Sequence, residues 1–187
     1  MLSYAADLRD TQREHGVWMT PDELEAELSR EHPDAFAWAL RCCRGRREEA
    51  EDALHAAYER ILDGRARFDG RSRFRTWLFG VVRRTALEQR RRSWFRLERL
   101  QRWFEREVAG HVPEQEPGDA GNEQVERLRR ALTHLSARQG EVLHLVFYQE
   151  LSVQEAAAVL GIPVGTARTH YERAKARLRA LLGEDPR

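Results

Sequence analysis

Apolar residues recur along most of the chain at the three- and four-residue spacing of an amphipathic helix. The clearest run is Ala50, Ala53, Leu54, Ala57, Tyr58, Ile61 and Leu62, with Gly64 as a stop signal. A longer run starts near Arg73 and contains Phe74, Trp77, Leu78, Val81 and Val82. No segment alternates apolar and polar residues between turn signals, as a strand would. The sequence therefore predicts an all-α protein.

Three capping-box signatures mark helix starts. The first is Thr20-Pro21-Asp22-Glu23, and a separate helix is predicted near 34–44, ending at Gly45. The other two begin at Ser136 and Ser152, each with Gln or Glu three residues later. Both precede apolar runs at helical spacing, so the C-terminal part is also predicted to be helical.

The stretch GHVPEQEPGDAGN, residues 110–122, is rich in proline, glycine and acids and offers almost nothing to bury. Such a composition is typical of a flexible linker. We therefore expect two small helical domains joined by this linker, the second a helix-turn-helix domain. The predicted boundaries are an acidic segment 1–19, a first domain 20–108, a linker 109–122 and a second domain 123–187.

Glycine also separates two helices in the second domain, where Gly161-Ile162-Pro163 forms a short turn. Helix, glycine turn and second helix is the helix-turn-helix arrangement, whose second helix enters the DNA major groove. Opposite its apolar stripe, that helix carries small residues, with polar and basic side chains around them. Thr166, Thr169 and Arg173 can bond to bases or phosphates, and Arg168 lies towards the DNA backbone. The alternative is an ordinary surface helix.

The net charge is only +1, but the charges are unevenly distributed. Residues 1–35 contain three Arg and nine Asp or Glu, residues 65–107 contain fourteen Arg and five acids, and residues 166–180 contain five Lys or Arg and one Glu. Two separate basic zones favour binding to a polyanion at two places, although solvated helix faces would also explain them.

The chain has two cysteines, Cys42 and Cys43, which are adjacent and match no zinc-ligand spacing. They indicate core residues in a reducing compartment. No apolar run approaches the roughly 20 residues that span a bilayer, and the N-terminus lacks a signal-peptide pattern. We expect a cytoplasmic protein with no membrane insertion, no cofactor and no metal site.

The first domain combines an acidic helix stripe with a basic, aromatic loop. The stripe contains Glu48, Glu51, Asp52, His55 and Glu59, opposite the apolar face of the same helix. It is either simply solvated or docks on a basic protein surface. The loop FDGRSRFR, residues 68–75, mixes arginine and phenylalanine, which suits single-stranded nucleic acid; packing of Phe68 and Phe74 in the core is the alternative.

Taken together, these segments resemble the extracytoplasmic-function group of bacterial RNA polymerase sigma factors. EEAEDALHAAYERIL followed by FDGRSRFRTWLFGVVRR resembles their second conserved region. LSARQGEVLHLVFYQELSVQEAAAVLGIPVGTARTHYERAKARL resembles their fourth region. The resemblance covers about 33–92 and 124–182 and implies a non-enzymatic subunit that binds core polymerase and promoter DNA, duplex and melted.

The resemblance also implies roles for particular residues. The polymerase clamp would be met by Glu51, Asp52, His55 and Glu59. The melted strand of the minus-10 element would be held by Phe68, Arg71, Arg73, Arg75, Arg83 and Arg84. The minus-35 duplex would be read by Thr166, Arg168, Thr169 and Arg173. His55 and Arg84 stand where the family often has Gln and Asn.

Two points stay open at this level. The stripe Trp94, Leu97, Leu100 and Phe104 in residues 93–108 either packs on the first domain or docks a regulatory partner, such as an anti-sigma protein. The main functional alternative is a helix-turn-helix regulator that binds duplex DNA without being a polymerase subunit. A nucleic-acid hydrolase is a weaker one, since no two histidines pair with acids at a recognisable spacing.

Overall fold

A computed structural model describes residues 19–101 and 123–183, and the regular secondary structure of this part of the chain is all helical. The first part contains α1 (Pro21–Cys42), α2 (Arg47–Leu62) and α3 (Phe74–Gln101). The second contains α4 (Glu123–Thr133), α5 (Ala137–Leu143), a π-helical turn (His144–Tyr148), α6 (Val153–Leu160) and α7 (Val164–Leu182). The predicted all-α fold class is confirmed. Among the described residues we find no helix long and apolar enough to cross a bilayer.

Local sequence explains three of the helix starts and the sharp end of α6. Thr20, Ser136 and Ser152 each form a complete capping box with the residue three positions later. Gly161 ends α6 in the left-handed conformation, with φ of 64°. A side chain other than glycine pays for that conformation in steric strain, so the glycine defines the sharp turn between α6 and α7.

One predicted boundary is wrong, because α1 is a single helix of 22 residues rather than two. Pro33 lies inside it, lacks the amide that would bond to the preceding turn, and is exposed. The helix continues because residues on both sides of the proline share one buried face. That face contains Leu28, Ala35, Trp38, Ala39 and Cys42.

The first three helices pack on one another around Trp38, which is fully buried. Its indole Nε1 donates a hydrogen bond to the carbonyl oxygen of Phe79 at 3.0 Å, tying α1 to α3. Cys42 and Cys43 are buried free thiols, as predicted, and burial raises the pKa of Cys43 to about 11. Both are therefore packing residues.

The second group of helices is arranged around α7, which contacts α4, α5 and α6. Here α6 also packs directly against α3. Buried residues of both groups consequently form one continuous apolar cluster, which includes Leu78, Val82, Val142, Leu145 and Leu160. The predicted division into two domains stays a prediction, and the described parts of both are in contact.

Candidate nucleic-acid interface

The helix-turn-helix is formed by α6 and α7, and α7 shows an open outer face. Ala167 and Ala174 are fully buried against the rest of the domain, whereas the four residues predicted to read duplex DNA are exposed. Those four are Thr166, Arg168, Thr169 and Arg173. The small residues at the centre of this face, Gly165, Ala176 and Ala180, are exposed as well. Val164, the first residue of α7, is apolar but 41% exposed, because it lies at the free end of the helix.

The start of α7 has no side-chain cap. Its N-cap residue is Pro163, and no side chain accepts a hydrogen bond from the first turn. Backbone amides there remain available to an anion, and the helix dipole favours negative charge at the same end. Thr169, one turn further on, donates its hydroxyl to the carbonyl oxygen of Gly165 at 2.9 Å. Its oxygen lone pairs therefore stay free to accept.

In the first domain, the loop that connects α2 and α3 is ordered by short local contacts. Gly64 and Gly70 both have positive φ, and Arg71 donates its backbone amide to the Asp69 side chain at 3.2 Å. Phe68 is half-buried and packs edge-on against Phe74, with ring centroids 5.5 Å apart, and beside Trp77. Phe74 is buried, in line with the packing interpretation for that residue.

The six residues predicted to hold the melted strand fall into different environments. Arg71 and Arg84 are exposed, and Phe68 belongs to the aromatic cluster. Arg73, Arg75 and Arg83 contact the second domain, although the side chain of Arg73 is still 79% exposed. Arg83 is only 6% exposed, so its predicted DNA contact requires the two domains to move apart.

Each of these three arginines makes a polar contact across the domain boundary, and Arg75 also bonds to Asp34 of its own domain. Arg73 lies 3.4 Å from Glu155, measured from Nε to Oε1. Arg75 donates to the side chains of Asp34 and Gln149, each at 2.6 Å. No sequence pattern signals pairs of residues that are so far apart along the chain.

Arg83 is held more deeply than the other two. It donates to the Glu141 carboxylate at 3.3 Å and to the carbonyl oxygen of Leu160, the last residue of α6, at 3.4 Å. Glu141 also accepts from Arg138 at 2.9 Å. One carboxylate of the second domain thus faces two guanidinium groups, one from each domain.

The third surface is the outer face of α2. Its inner face is buried, as the apolar spacing predicts, and consists of Ala50, Ala53, Leu54, Ala57 and Ile61. Of the predicted polymerase-binding residues, Asp52, His55 and Glu59 are exposed and Glu51 is partly exposed, with Arg47 donating to Glu51 at 2.9 Å. Leu62, at the helix end, is 67% exposed rather than buried.

Comparison with known proteins shows the family to which the chain belongs. Residues 28–96 match the family Sigma-70 region 2, and residues 125–178 match the family Sigma-70, region 4. The RNA polymerase sigma factor CnrH of Cupriavidus metallidurans is 31% identical over 146 residues, covering 72% of each chain. The ECF RNA polymerase sigma factor EcfG of Rhodopseudomonas palustris is 29% identical over 168 residues, covering 88% of this chain and 87% of the relative.

This chain belongs to the ECF group of RNA polymerase sigma factors. Two solved structures share the fold of this sigma factor. One is the sigma factor RpoE in complex with the anti-sigma factor NepR from Bartonella quintana, with a TM-score of 0.65 at 26% identity, covering 87% of this chain and 98% of that one. The other is CnrH in complex with the cytosolic domain of CnrY, with a TM-score of 0.53 at 25% identity, covering 89% and 92%.

Membership in the family favours a polymerase subunit over the helix-turn-helix regulator that the sequence left open. A sigma factor is a DNA-recognition subunit that acts with RNA polymerase in transcription initiation. The exposed face of α7, the arginines of the first domain and the acidic stripe of α2 are therefore candidate contacts for promoter and polymerase.

Proposed function

We propose a division of labour between the two domains of this sigma factor. The second domain, 123–187, reads the minus-35 duplex through α7. The first domain, 20–108, holds the melted minus-10 strand with the loop after α2 and the arginines of α3. The same domain docks on core polymerase through the outer face of α2.

The observation that carries the proposal is the open outer face of α7. Arg173 can present a paired donor to a guanine edge, and Arg168 can bond to a phosphate. Small residues between them, Gly165 and Ala176, let the backbone approach the groove closely. The uncapped amides at the start of α7 add a further phosphate site.

The charges of the first domain support the strand-binding role. Arg71 and Arg84 are exposed, so they can bond to phosphates without rearrangement. Phe68 sits at the edge of an aromatic cluster, where a ring can stack on an unpaired base. Arg73, whose side chain is 79% exposed, would extend this basic surface directly, and Arg83 would join it once it is free of the second domain. Arg75 is also held by Glu31 and Asp34 of the first domain.

The acidic stripe of α2 supports the polymerase contact. Glu51, Asp52 and Glu59 would repel DNA, so this face suits a basic protein surface, with His55 beside it. The rest of the helix is fixed by its buried apolar face, which holds the stripe rigidly.

We propose an anti-sigma protein as a further partner. Two structurally similar sigma factors were solved with a protein bound, RpoE with the anti-sigma factor NepR and CnrH with the cytosolic domain of CnrY. The stripe Trp94, Leu97, Leu100 and Phe104, for which docking of such a partner was one of two interpretations, lies outside the described side chains.

The decisive experiment is transcription from a randomised promoter library with the full chain and purified core polymerase. We expect selected promoters to share two elements, and permanganate to modify unpaired thymines in the downstream element only when core is present. Footprinting of the chain on duplex DNA without core is the comparison. Protection of a single duplex site without core, and no transcription with it, would contradict the proposal and favour a regulator.

A further inference from the structure

The helix α7 carries a single acidic residue, Glu172, among five basic ones. Glu172 follows Gly165 by seven residues and Thr169 by three, and Ala176 follows it four residues later. Residues at these spacings lie on the same side of a helix. Glu172 therefore belongs to the outer face that the proposed function places in the groove, and its side chain is 59% exposed.

An acid on this face calls for a physical reason, because the closely spaced phosphates of a duplex repel a carboxylate. Helix stability supplies a weak one: an exposed ion pair, such as that of Glu172 with Lys175, contributes little to folding. In the major groove, by contrast, a carboxylate can accept a hydrogen bond from the amino group of a base. The position of Glu172 is therefore that of a base contact.

Lys175 holds the side chain of Glu172 in place. Its Nζ lies 2.9 Å from Oε1 of Glu172 and 4.5 Å from the centroid of the Tyr171 ring. The face of an aromatic ring attracts an ammonium, so the lysine is fixed from two sides, and its side chain is only 26% exposed. The carboxylate is consequently positioned before DNA binds, and less side-chain freedom is lost on binding.

The contact with Lys175 leaves Glu172 able to accept from a base. An ammonium is a point charge that binds one carboxylate oxygen, whereas a guanidinium often takes both oxygens in a forked pair. Lys175 contacts Oε1, so Oε2 can accept a hydrogen bond from the groove.

Among the base edges of the major groove, that of cytosine fits a carboxylate best. Cytosine presents a donor there, its N4 amino group, whereas adenine places the N7 acceptor beside its amino group and guanine presents acceptors alone. A carboxylate only accepts, so an acceptor on the base repels it. Arg173, the next residue, only donates and suits guanine. Glu172 and Arg173 together therefore favour a cytosine and a guanine in the same element.

We propose that Glu172 is a specificity-determining residue of this sigma factor. It selects a cytosine in the minus-35 duplex by accepting a hydrogen bond from the cytosine amino group. Lys175 is a positioning residue, which acts through Glu172 and makes no base contact of its own. The inference rests on the proposed reading of the duplex by α7.

The test uses holoenzyme reconstituted from the full chain and core polymerase. Competition binding compares a duplex that carries the selected upstream element with every single-base-pair variant of that element. Glu172→Gln removes the charge and keeps the length of the side chain. Glu150→Gln is the matched control, because Glu150 is an exposed acid of the same domain.

We expect wild type and the Glu150→Gln control to prefer cytosine about tenfold over the other bases at one position of the element. Glu172→Gln should lose this preference and favour adenine at the same position, because a glutamine amide pairs with N6 and N7 of adenine. Tighter binding of Glu172→Gln to every duplex by the same factor, with the cytosine preference unchanged, overturns the inference, since Glu172 would then only repel phosphates.

Lys175→Met tests the positioning role. Methionine keeps an unbranched side chain beside Tyr171 but has no charge. Arg177→Met is the control, because it removes an exposed positive charge from the same helix. Both variants should bind all duplexes more weakly, and Lys175→Met alone should also lose about threefold of the cytosine preference. An equal preference in the two variants overturns the positioning role.

Arg173→Ala separates these results from a failure of the proposed function. If Arg173→Ala loses discrimination at its own base pair while Glu172→Gln changes the preference at none, α7 still reads the duplex and only this inference fails. If neither variant changes any base preference, the proposed reading of the duplex by α7 fails as well.

Discussion

Gly165 stands in the first turn of α7, where an added Cβ would meet no other atom within 4 Å in the free protein. Gly165→Ala should therefore leave the free energy of unfolding unchanged or raise it by about 0.5 kcal/mol through helix propensity. On the duplex, the same methyl group would stand between the backbone and the groove. We expect an affinity loss of about 1 kcal/mol or more. Thermal unfolding of the sigma factor measures the change in stability, and duplex binding by the holoenzyme measures the change in affinity.

Gly80 of α3 provides the control for this substitution. A Cβ there also meets nothing within 4 Å, and the residue lies in the first domain. Gly80→Ala should stabilise the fold to a similar extent without changing the affinity for the upstream duplex. If Gly165→Ala binds duplex as well as wild type, the backbone of α7 does not approach the groove.

Arg173 and Arg91 are expected to contribute to DNA binding in different ways. Both are exposed, but Arg173 lies on the outer face of α7 and Arg91 on the basic part of α3. Arg173→Ala should cost about 1 to 3 kcal/mol of discrimination at one upstream base pair. Arg91→Ala should weaken binding to all sequences and reduce its salt dependence. Competition binding with single-base-pair variants at two salt concentrations separates these effects; identical profiles would contradict the assignment.

At the scale of the elements, helix starts were predictable because their signals are local. The capping boxes at Thr20, Ser136 and Ser152 lie within four consecutive residues each, and Gly161 supplies the turn between α6 and α7. The continuity of α1 through Pro33 was not predictable, since it depends on tertiary packing that outweighs the proline penalty.

The π-helical turn from His144 to Tyr148 is a second feature that the sequence did not reveal. Gln149 donates its backbone amide to the carbonyl oxygen of His144 at 3.1 Å, five residues back, and Glu150 has a positive φ of 52°. This local geometry turns His144 and Gln149 towards the first domain. Helical periodicity alone cannot distinguish it from the end of an ordinary α-helix.

The outer face of α2 yields a prediction about polymerase binding. Asp52 is exposed, so Asp52→Asn should leave the free energy of unfolding within about 0.5 kcal/mol of wild type. Loss of its charge should weaken binding to core polymerase about fivefold, mainly through slower association. Glu25→Gln on α1 is the matched control, because it also neutralises an exposed acid of the first domain. Surface plasmon resonance with immobilised core gives both rate constants, and equal values for the two variants would exclude Asp52 from the contact.

For the molecule as a whole, the sequence identified candidate DNA-binding residues but not their pairing with distant residues of the same chain. Arg83 and Glu141 are 58 residues apart, and Arg75 and Gln149 are 74 apart. The clustering of basic residues in the sequence predicted that these arginines bind a polyanion. Only the packing of α6 on α3 shows that acids of the same chain already occupy some of them.

We expect His144 to make the packing of the two domains sensitive to pH. It lies between Trp38 of the first domain and Tyr148, with ring centroids 5.5 and 5.4 Å away. Burial, with a smaller effect of nearby Arg41 and an opposing one of Asp34, lowers the pKa of His144 from 6.5 to about 4. The packed state therefore prefers the neutral imidazole.

The direction of the effect follows from that preference. If separation of the domains returns the pKa of His144 to about 6.5, the separated state binds more protons between about pH 4 and 6.5. The packed state is then most stable above about pH 6.5 and loses about 1.4 kcal/mol per pH unit as the pH falls through that window. Scattering should show a larger radius of gyration at about pH 5.5 than at about pH 7.5.

The control is His144→Phe, which keeps an aromatic ring against Trp38 but cannot be protonated. This variant loses the contact between the ring nitrogen of His144 and the Gln149 side chain, so the packed state should be somewhat less stable at every pH. Its radius of gyration should nevertheless change much less between the two pH values than that of wild type. Equal expansion of both proteins would assign the pH dependence to carboxylates such as Glu141 rather than to His144, because those groups are present in both.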